Sequence, residues 1–471
     1  MINAFLAKLE KKIHCEMTRD PEILNFYSVD ASSYSVRPSA IVFPRSEKDV
    51  SDILKMAARY KITVTPRGAG TGLAGGDLGS GIIIDMKNFN KIKFGRNFVD
   101  VGSGAMKGYI DLALKSRKRF LGPNPSIGPF CTIGGMISTN AAGSHSIKYG
   151  STIDNLLQVR VALSDGRVID LPREGRAIKE FLATANTKVG KYFPHISKNS
   201  CGYRIDKITS DSDAHKIIAG SEGTLGIIIS ARMRTMPIPK QTVLIVSSYQ
   251  DLKHGVSDIP KIMNLGPSAV EIIDHNIASH IDLPLSKRKK CLLFIEFDDR
   301  APAKEKKCKR ILSGHIVEST RKNSQIARWW RYRNSALSYS LRSVTGSEKV
   351  FSIIEDAAVP VHRLPLLLDL IDHLKSKFPM RVIVYGHAGN GNLHVRPILK
   401  KKDGRLIKRI AREYFSGVIS MGGTISGEHG DGLARSEFVR LQYGPKTYEV
   451  FKRLKRHFDP SNTLNPGKIV V

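Results

Sequence analysis

Four residues near the C-terminus have the types and spacing that chemistry needs. His387 and His394 stand seven apart in Tyr385-Gly-His-Ala-Gly-Asn-Gly-Asn-Leu-His394, and Glu428 and His429 follow in Ser426-Gly-Glu-His-Gly-Asp431. Two neutral imidazoles and a carboxylate suit a divalent metal, zinc first and manganese or iron after it. A metal so held acts as a Lewis acid on a hydroxyl or carboxylate oxygen, and a neighbouring imidazole can take a proton near neutral pH. The alternative is that these histidines only hydrogen-bond a substrate. The glycines among them mark backbone that must approach something closely, because glycine loses more conformational entropy on folding than any other residue.

A second glycine-rich loop lies far upstream: Pro66, Arg67, Gly68, Ala69, Gly70, Thr71, Gly72, Leu73, Ala74, Gly75 and Gly76. Gly70, Gly72 and Gly75 match the spacing of the dinucleotide fingerprint. That fingerprint works only where the loop opens a helix whose N-terminus receives the pyrophosphate. Here Gly76-Asp-Leu-Gly-Ser-Gly81 leads into a strand instead. A nest of successive backbone N–H groups, with Arg67 adding charge, is the phosphate-binding alternative. By itself the loop reads equally well as a plain turn.

The elements that must position these groups follow from periodicity. Residues 40–44, 62–65, 81–85 and 99–104 read as strands. Residues 46–60 read as a helix with Ser46 as N-cap and Asp49 three residues on, and residues 109–115 as another. Residues 159–163 and 168–171 form a hairpin around Asp165-Gly166. Residues 121–149 are dense in Gly, Pro, Ser, Thr and Asn and read as a 29-residue functional loop. Pro237 and Pro239 mark a domain boundary. Beyond it, strands at 242–247, 292–297, 351–354 and 382–385 and a helix at 364–378 predict an α+β domain with a largely antiparallel sheet.

Several motifs in order carry a family resemblance: the loop 66–76, Thr132-Ile-Gly-Gly135, Asn140-Ala-Ala-Gly143, Tyr149-Gly150 and Gly220-Ser-Glu-Gly-Thr-Leu-Gly-Ile227. They resemble the FAD-binding domain of the vanillyl-alcohol oxidase / p-cresol methylhydroxylase superfamily. In order and spacing they are most similar to its D-lactate dehydrogenase and glycolate oxidase flavoprotein-subunit branch. Residues 386–394, Gly427-Glu-His-Gly430 and residues 458–467 resemble that branch's C-terminal domain. The resemblance implies an α+β protein: an N-terminal helical segment (1–36), a two-subdomain FAD-binding domain (37–237) and a C-terminal substrate and metal domain (238–471). It implies FAD held by the loop 66–76 and by Pro125, Thr132, Gly134, Gly135, Asn140, Gly143, Ser144, Tyr149, Gly150, Glu222, Gly223, Gly226 and Ile227. Some members bond the flavin to a histidine in or near the first loop. None stands between Pro66 and Gly76, so non-covalent binding is expected.

The resemblance also carries the metal ligands onto His387, His394 and Glu428, the catalytic base onto His429, and a substrate-carboxylate clamp onto Arg333. The implied reaction takes a small (R)-2-hydroxy acid (D-lactate, glycolate or D-2-hydroxyglutarate) to the 2-oxo acid, with hydride passing to flavin N5. Two departures stand out. Asn390 replaces the usual Asp of the metal loop. Arg396 replaces an Asn found in some relatives that act on dicarboxylates, and is expected to meet a second substrate carboxylate. The rivals are an alkylglycerone-phosphate-synthase-like flavoenzyme and a basic nucleic-acid- or membrane-binding protein on the same fold.

A chain of 471 residues with 41% hydrophobic and 25% charged residues is a soluble globular protein of two or three domains. No apolar run is long enough for a membrane span, and residues 1–16 read as an amphipathic helix, not a signal peptide. Cys15, Cys131, Cys201, Cys291 and Cys308 form no Cys-x-x-Cys pair, which argues for reduced thiols and against an iron–sulfur cluster of the usual spacing. Electrons must therefore leave to an external acceptor: a quinone, a cytochrome, an electron-transfer flavoprotein or an iron–sulfur partner subunit. The net charge of +31 sits in scattered clusters without interleaved aromatics. These read as solvated surface with no nucleic-acid partner expected, and with peripheral contact to an anionic membrane face as the alternative. The expected location is the cytoplasm or its face of the inner membrane.

Overall fold

A computed structural model describes residues 2–184, 192–281, 291–342, 344, 346, 348–400 and 403–471. Strands β1 (Glu16–Thr18), β2 (Ala40–Phe43), β3 (Val64–Arg67) and β4 (Ile82–Asp85) form a sheet in the order β1-β2-β4-β3. β2, β4 and β3 run parallel, and β1 is antiparallel to β2. The expected helix spans Glu47–Tyr60, and its capping box forms. Ser46 Oγ accepts from the Asp49 N–H (3.2 Å), and the Asp49 carboxylate accepts from the Ser46 N–H (2.9 Å). Its Val50, Ile53, Leu54 and Ala57 face the sheet interior. This βαβ arrangement delivers the glycine loop at the carboxyl end of β3, the edge of an open α/β sheet where ligands bind.

A second, wholly antiparallel sheet follows: β5 (Ile92–Phe94), β6 (Phe98–Gly102), β7 (Arg119–Leu121), β8 (Leu156–Ala162), β9 (Val168–Leu171) and β10 (Ile227–Pro237). Its order is β5-β6-β10-β8-β9, with β7 on β10. The segment 121–149 departs from the expected loop. It holds a helix, Ile133–Thr139, capped by the Thr132 side chain and ended by Asn140 at φ 51°, with short helical turns at Gly128–Phe130 and Ser146–Tyr149. Gly134 and Gly135 hid this helix. A Cβ on Gly134 would lie 2.8 Å from that of Ser103, so glycine there serves close packing.

The third sheet comprises β11 (Val243–Tyr249), β12 (Ala269–Asp274), β13 (Cys291–Phe297), β14 (His315–Thr320), β15 (Lys349–Val350), β16 (Arg381–His387) and β17 (Asn392–Leu399). Every pairing is antiparallel, in the order β14-β11-β13-β12-β16-β17-β15. The strand expected at 351–354 is absent, and the pairing there ends at Val350. β12, β14 and β17 escape the sequence pattern. One hydrophobic core runs through the second and third sheets, and a separate one fills the first. The C-terminal segment then returns to the first sheet. The Val64 N–H donates to Thr463 O (2.8 Å) and the Asn465 N–H to Val64 O (2.8 Å).

Candidate active site

The hairpin β16–β17 places the two spaced histidines. Its register sets Tyr385 opposite His394 and His387 opposite Asn392, so His387 and His394 are diagonal neighbours on one face. The turn between them closes through Gly391 at φ 69°, a left-handed position that suits glycine. A Cβ on Gly391 would also lie 1.8 Å from Val359 O.

All three histidines are anchored at Nδ1. His387 Nδ1 donates to Glu271 (2.8 Å), His394 Nδ1 to the backbone oxygen of Glu355 (3.1 Å), and His429 Nδ1 to Glu355 Oε1 (2.6 Å). Their Nε2 atoms converge on one carboxylate oxygen, Glu428 Oε1, at 2.7, 3.4 and 3.7 Å respectively. A proton on Nδ1 leaves a lone pair on Nε2. Lone pairs and a carboxylate oxygen then face one another, an arrangement that needs protons or a cation between them. Anchoring a ligating imidazole through its other nitrogen is also what metal sites do. Among the described residues, the possible ligand atoms that lie within 4.8 Å of one another belong to Asp356, His394, Glu428 and His429, a donor set that suits a divalent cation, and His387 Nε2 joins it through Glu428 Oε1 (2.7 Å). Asp356 lies among them but fits the ligand role less well. Its oxygens accept from Ser426 Oγ (2.8 Å) and from the backbone N–H groups of Glu428 (3.0 Å) and His429 (2.8 Å), so it shapes the turn.

Burial sets the electrostatics, and the neighbours decide the signs. Burial lowers the His394 pKa, with His387 and His429 acting the same way, so this imidazole favours its neutral form. For His429 burial acts downward too, but Asp356 and Glu355 outweigh it and raise the imidazole to about 9. Two carboxylates beneath the ring thus act to hold its proton. For Glu271 burial acts upward, but Arg333 and then His387 hold the carboxyl below its usual range.

Arg333 is not a surface arginine. It is 2% exposed, and Glu271 takes its Nε (2.7 Å) and Nη2 (2.5 Å). Nη1 has no protein partner among the described residues and remains for a ligand. Arg396 overturns its expected role. Its Nε donates to Tyr385 Oη (2.9 Å) and its Nη2 to Glu355 Oε2 (2.9 Å), which makes it an internal counter-ion and not a wall of the cavity.

A cavity of about 390 Å³ separates this cluster from the glycine loop. Pro66 to Ala74, Thr132, Gly134 and Gly135 line one side, and Arg333, Tyr385, His394, Glu428 and His429 the other. Residues 38–172 match the family described as FAD binding domain, and residues 238–469 match the FAD linked oxidases, C-terminal domain. The chain belongs to the FAD-linked oxidase family. It is 30% identical to D-2-hydroxyglutarate dehydrogenase of Escherichia coli (strain K12), over 94% of this chain and 49% of that protein. It is 28% identical to glycolate oxidase subunit GlcD of Bacillus subtilis (strain 168), over 94% of this chain and 91% of that protein. The chain thus spans about half the length of the D-2-hydroxyglutarate dehydrogenases it matches. A solved alkyldihydroxyacetonephosphate synthase superposes with a TM-score of 0.69 at 18% identity, covering 99% of this chain and 85% of that one. This likeness shows the shared p-cresol methylhydroxylase-type fold.

In this chain the cavity wall includes Pro66 to Gly72, Leu73, Gly76, Pro125, Thr132, Gly134, Gly135, Glu222, Gly226 and Ile227. Gly75, Asn140, Gly143, Ser144, Tyr149, Gly150 and Gly223 lie off it. A Cβ on Gly72 would meet nothing closer than Asp30 Oδ2 at 3.9 Å, so this stretch of backbone faces open space. Such a glycine-walled cradle fits FAD. The histidines lining it among the described residues are His394 and His429, both in the cluster just described.

Of the remaining expected residues, Gly143, Tyr149 and Glu222 join the two halves, while Asn140 bonds within the first. The Gly143 N–H donates to Glu428 Oε2 (2.8 Å) and the Asn140 side chain accepts from the Ile153 N–H (2.9 Å). Tyr149 Oη donates to Asp298, the residue just after β13. Glu222, at φ 52°, accepts from the N–H groups of Asp431 (2.5 Å) and Gly432 (2.9 Å). Burial and then Asp431 raise its carboxyl to about 8. Sequence reasoning assigned no part to Lys198, Glu271 or Asn465, and left Glu355 and Asp356 without a role. Glu271 carried one signal, a lone acid inside the apolar run Ala269-Val-Glu-Ile-Ile273.

Proposed function

We propose that this chain is an FAD-dependent dehydrogenase that oxidises a small (R)-2-hydroxy acid to the 2-oxo acid and passes the electrons to an acceptor outside the chain. The observation that supports this reading is the convergence of three Nδ1-anchored imidazoles on Glu428 Oε1, across one cavity from a glycine-walled cradle. Bound FAD supplies the two-electron acceptor. A divalent cation held by His387, His394 and Glu428, zinc before manganese or iron, supplies a Lewis acid for the substrate oxygens.

The chain's own residues do the rest. Arg333 offers Nη1 to the substrate carboxylate while Glu271 fixes its other edge. His429, held from below by Glu355, accepts the hydroxyl proton at Nε2. A cation held at Glu428, whose Oε1 lies 3.7 Å from that nitrogen, would favour the neutral, proton-accepting imidazole. Asp356 keeps the Glu428-His429 turn in place through its two backbone bonds.

The test is the absorption spectrum of the FAD-loaded protein under anaerobic conditions, before and after D-lactate, glycolate or D-2-hydroxyglutarate. Bleaching by at least one supports the reading and identifies the substrate class. Retained flavin that none of these bleaches refutes the dehydrogenase reading and favours a synthase-like activity.

A further inference from the structure

The carboxylate that faces the three histidines has a second oxygen, and two groups from the first half of the chain occupy it. Glu428 Oε2 accepts from Lys198 Nζ (2.8 Å) and from the Gly143 N–H (2.8 Å). The Lys198 side chain is 0% exposed and its ammonium also reaches Asn392 Oδ1 at 3.4 Å. The segment that carries it is fixed on both sides. The Ser200 N–H donates to Ser426 O (2.9 Å), Asn390 Nδ2 to Ser197 Oγ (2.7 Å), and Thr424 Oγ1 to Asn199 Oδ1 (2.8 Å). A fully buried lysine is rare, and its charge must meet a partner. Here the partner is one oxygen of Glu428.

We propose that Lys198 and the Gly143 N–H hold Glu428 to single-oxygen binding of the metal, with Lys198 as a positioning residue that also weakens the site's grip on the cation. This rests on the metal reading above. A carboxylate free at both oxygens can chelate a divalent cation, as it commonly does in oxygen-rich sites. With Oε2 tied down by two donors, only Oε1 faces the imidazoles. The site then offers two nitrogens and one oxygen, leaving a position open for substrate as catalytic zinc sites do. The ammonium places a like charge near the cation and opposes its binding.

The experiment compares the FAD-loaded wild type with Lys198→Met and Lys198→Arg, each loaded with zinc, by crystallography and by chelator competition. In the wild type, one Glu428 oxygen is expected at about 2.0–2.2 Å from zinc and the other still on Lys198. Lys198→Met should bring both oxygens onto the metal and tighten zinc binding at least tenfold. Lys198→Arg should stay within about threefold of wild type, since the charge persists. Mere structural damage would weaken binding, so a tighter site is specific to the proposal. Two wild-type oxygens on zinc would overturn it, even if Lys198→Met does not fold. So would a Lys198→Met protein of unchanged geometry and affinity. A wild type that takes up no zinc would instead defeat the metal reading itself.

Discussion

Glu271→Gln is the sharpest test of how the site is held. Glu271 is wholly buried and its carboxylate serves two partners at once, Arg333 through Nε (2.7 Å) and Nη2 (2.5 Å) and His387 through Nδ1 (2.8 Å). Glutamine keeps the shape and one acceptor oxygen but removes the charge. Breaking a buried ion pair from one side typically costs about 3–5 kcal/mol, because the other charge stays buried and unpaired. The retained hydrogen bond places this substitution near the lower end, about 3 kcal/mol. Both tryptophans, Trp329 and Trp330, sit in the helix Asn323–Asn334 that carries Arg333, so their fluorescence reports this region during urea unfolding. The expected result is a midpoint lower by about 1 M urea or more. Zinc retention should fall about 10–100-fold as His387 loses the partner that orients it. A stability change below about 0.5 kcal/mol, with unchanged zinc retention, would refute the assignment of Glu271 as the shared counter-ion.

Three further outcomes are expected. Gly72→Leu should leave the fold intact, since a Cβ there meets nothing closer than 3.9 Å, yet abolish flavin retention by filling the cradle; a yellow, FAD-replete variant would count against the cavity assignment. Gly432→Ala should destabilise by about 2–3 kcal/mol, because φ is +49° and the new Cβ would lie 2.2 Å from Ala74 O. Gly75→Ala, also at positive φ (+75°) but meeting only the flexible Leu433 side chain at 3.2 Å, should cost less, and equal effects in thermal unfolding would contradict the geometry. The third outcome concerns His145, whose Nε2 meets Glu296 at 2.9 Å across the two halves. Burial acts to lower the His145 pKa, but the Glu296 charge, with Glu271 and Asp298, raises it. A raised histidine stabilises fully below its unfolded pKa of about 6.5 and loses that contribution as pH climbs through the folded value. Burial acts to raise Glu296, but His145 holds it low, so its contribution is lost only as pH falls below about 4.5. Stability from this contact should peak between those limits, and His145→Gln should flatten the decline above about pH 6.5.

Local signals were legible and long-range ones were not. Ser46 with Asp49 announced a capping box, Asp165-Gly166 a hairpin, and the glycine density of residues 66–76 a close approach, because each depends on neighbours in sequence. The helix Ile133–Thr139 stayed hidden because its two glycines lower intrinsic helix preference while serving contacts with Ser103 and Thr132 that no local pattern reveals. The histidine motif announced metal-ligand chemistry, but nothing near it in sequence named Glu271, 116 residues from His387, or Lys198, 230 residues from Glu428. A single buried charge has no periodicity to betray it. Arg396 shows the converse: a cation placed beside a histidine motif invites a role in substrate binding, and only the folded chain, with Glu355 accepting from its Nη2, reveals that it is already held.

Several long-range bonds cross between the two halves, so neither half completes the cavity by itself. Lys198 and Gly143 reach from the first half to Glu428, and Glu222 reaches to the turn after His429. Asn465 reaches back from the C-terminal segment, its Nδ2 donating to Gly76 O (2.7 Å) and Glu222 O (2.7 Å), so it braces the glycine loop and the Glu222 turn together. Gly432 fits against Ala74 O only because it lacks a side chain. Glu222 therefore does more than line a cofactor wall. Its carboxylate fixes the backbone just beyond His429, while its own backbone is fixed by Asn465. A cofactor seated against that wall and a cation seated among the histidines would each stabilise the same inter-half contacts. Binding at one place must then favour binding at the other by the same factor, since linkage through a shared structure is reciprocal.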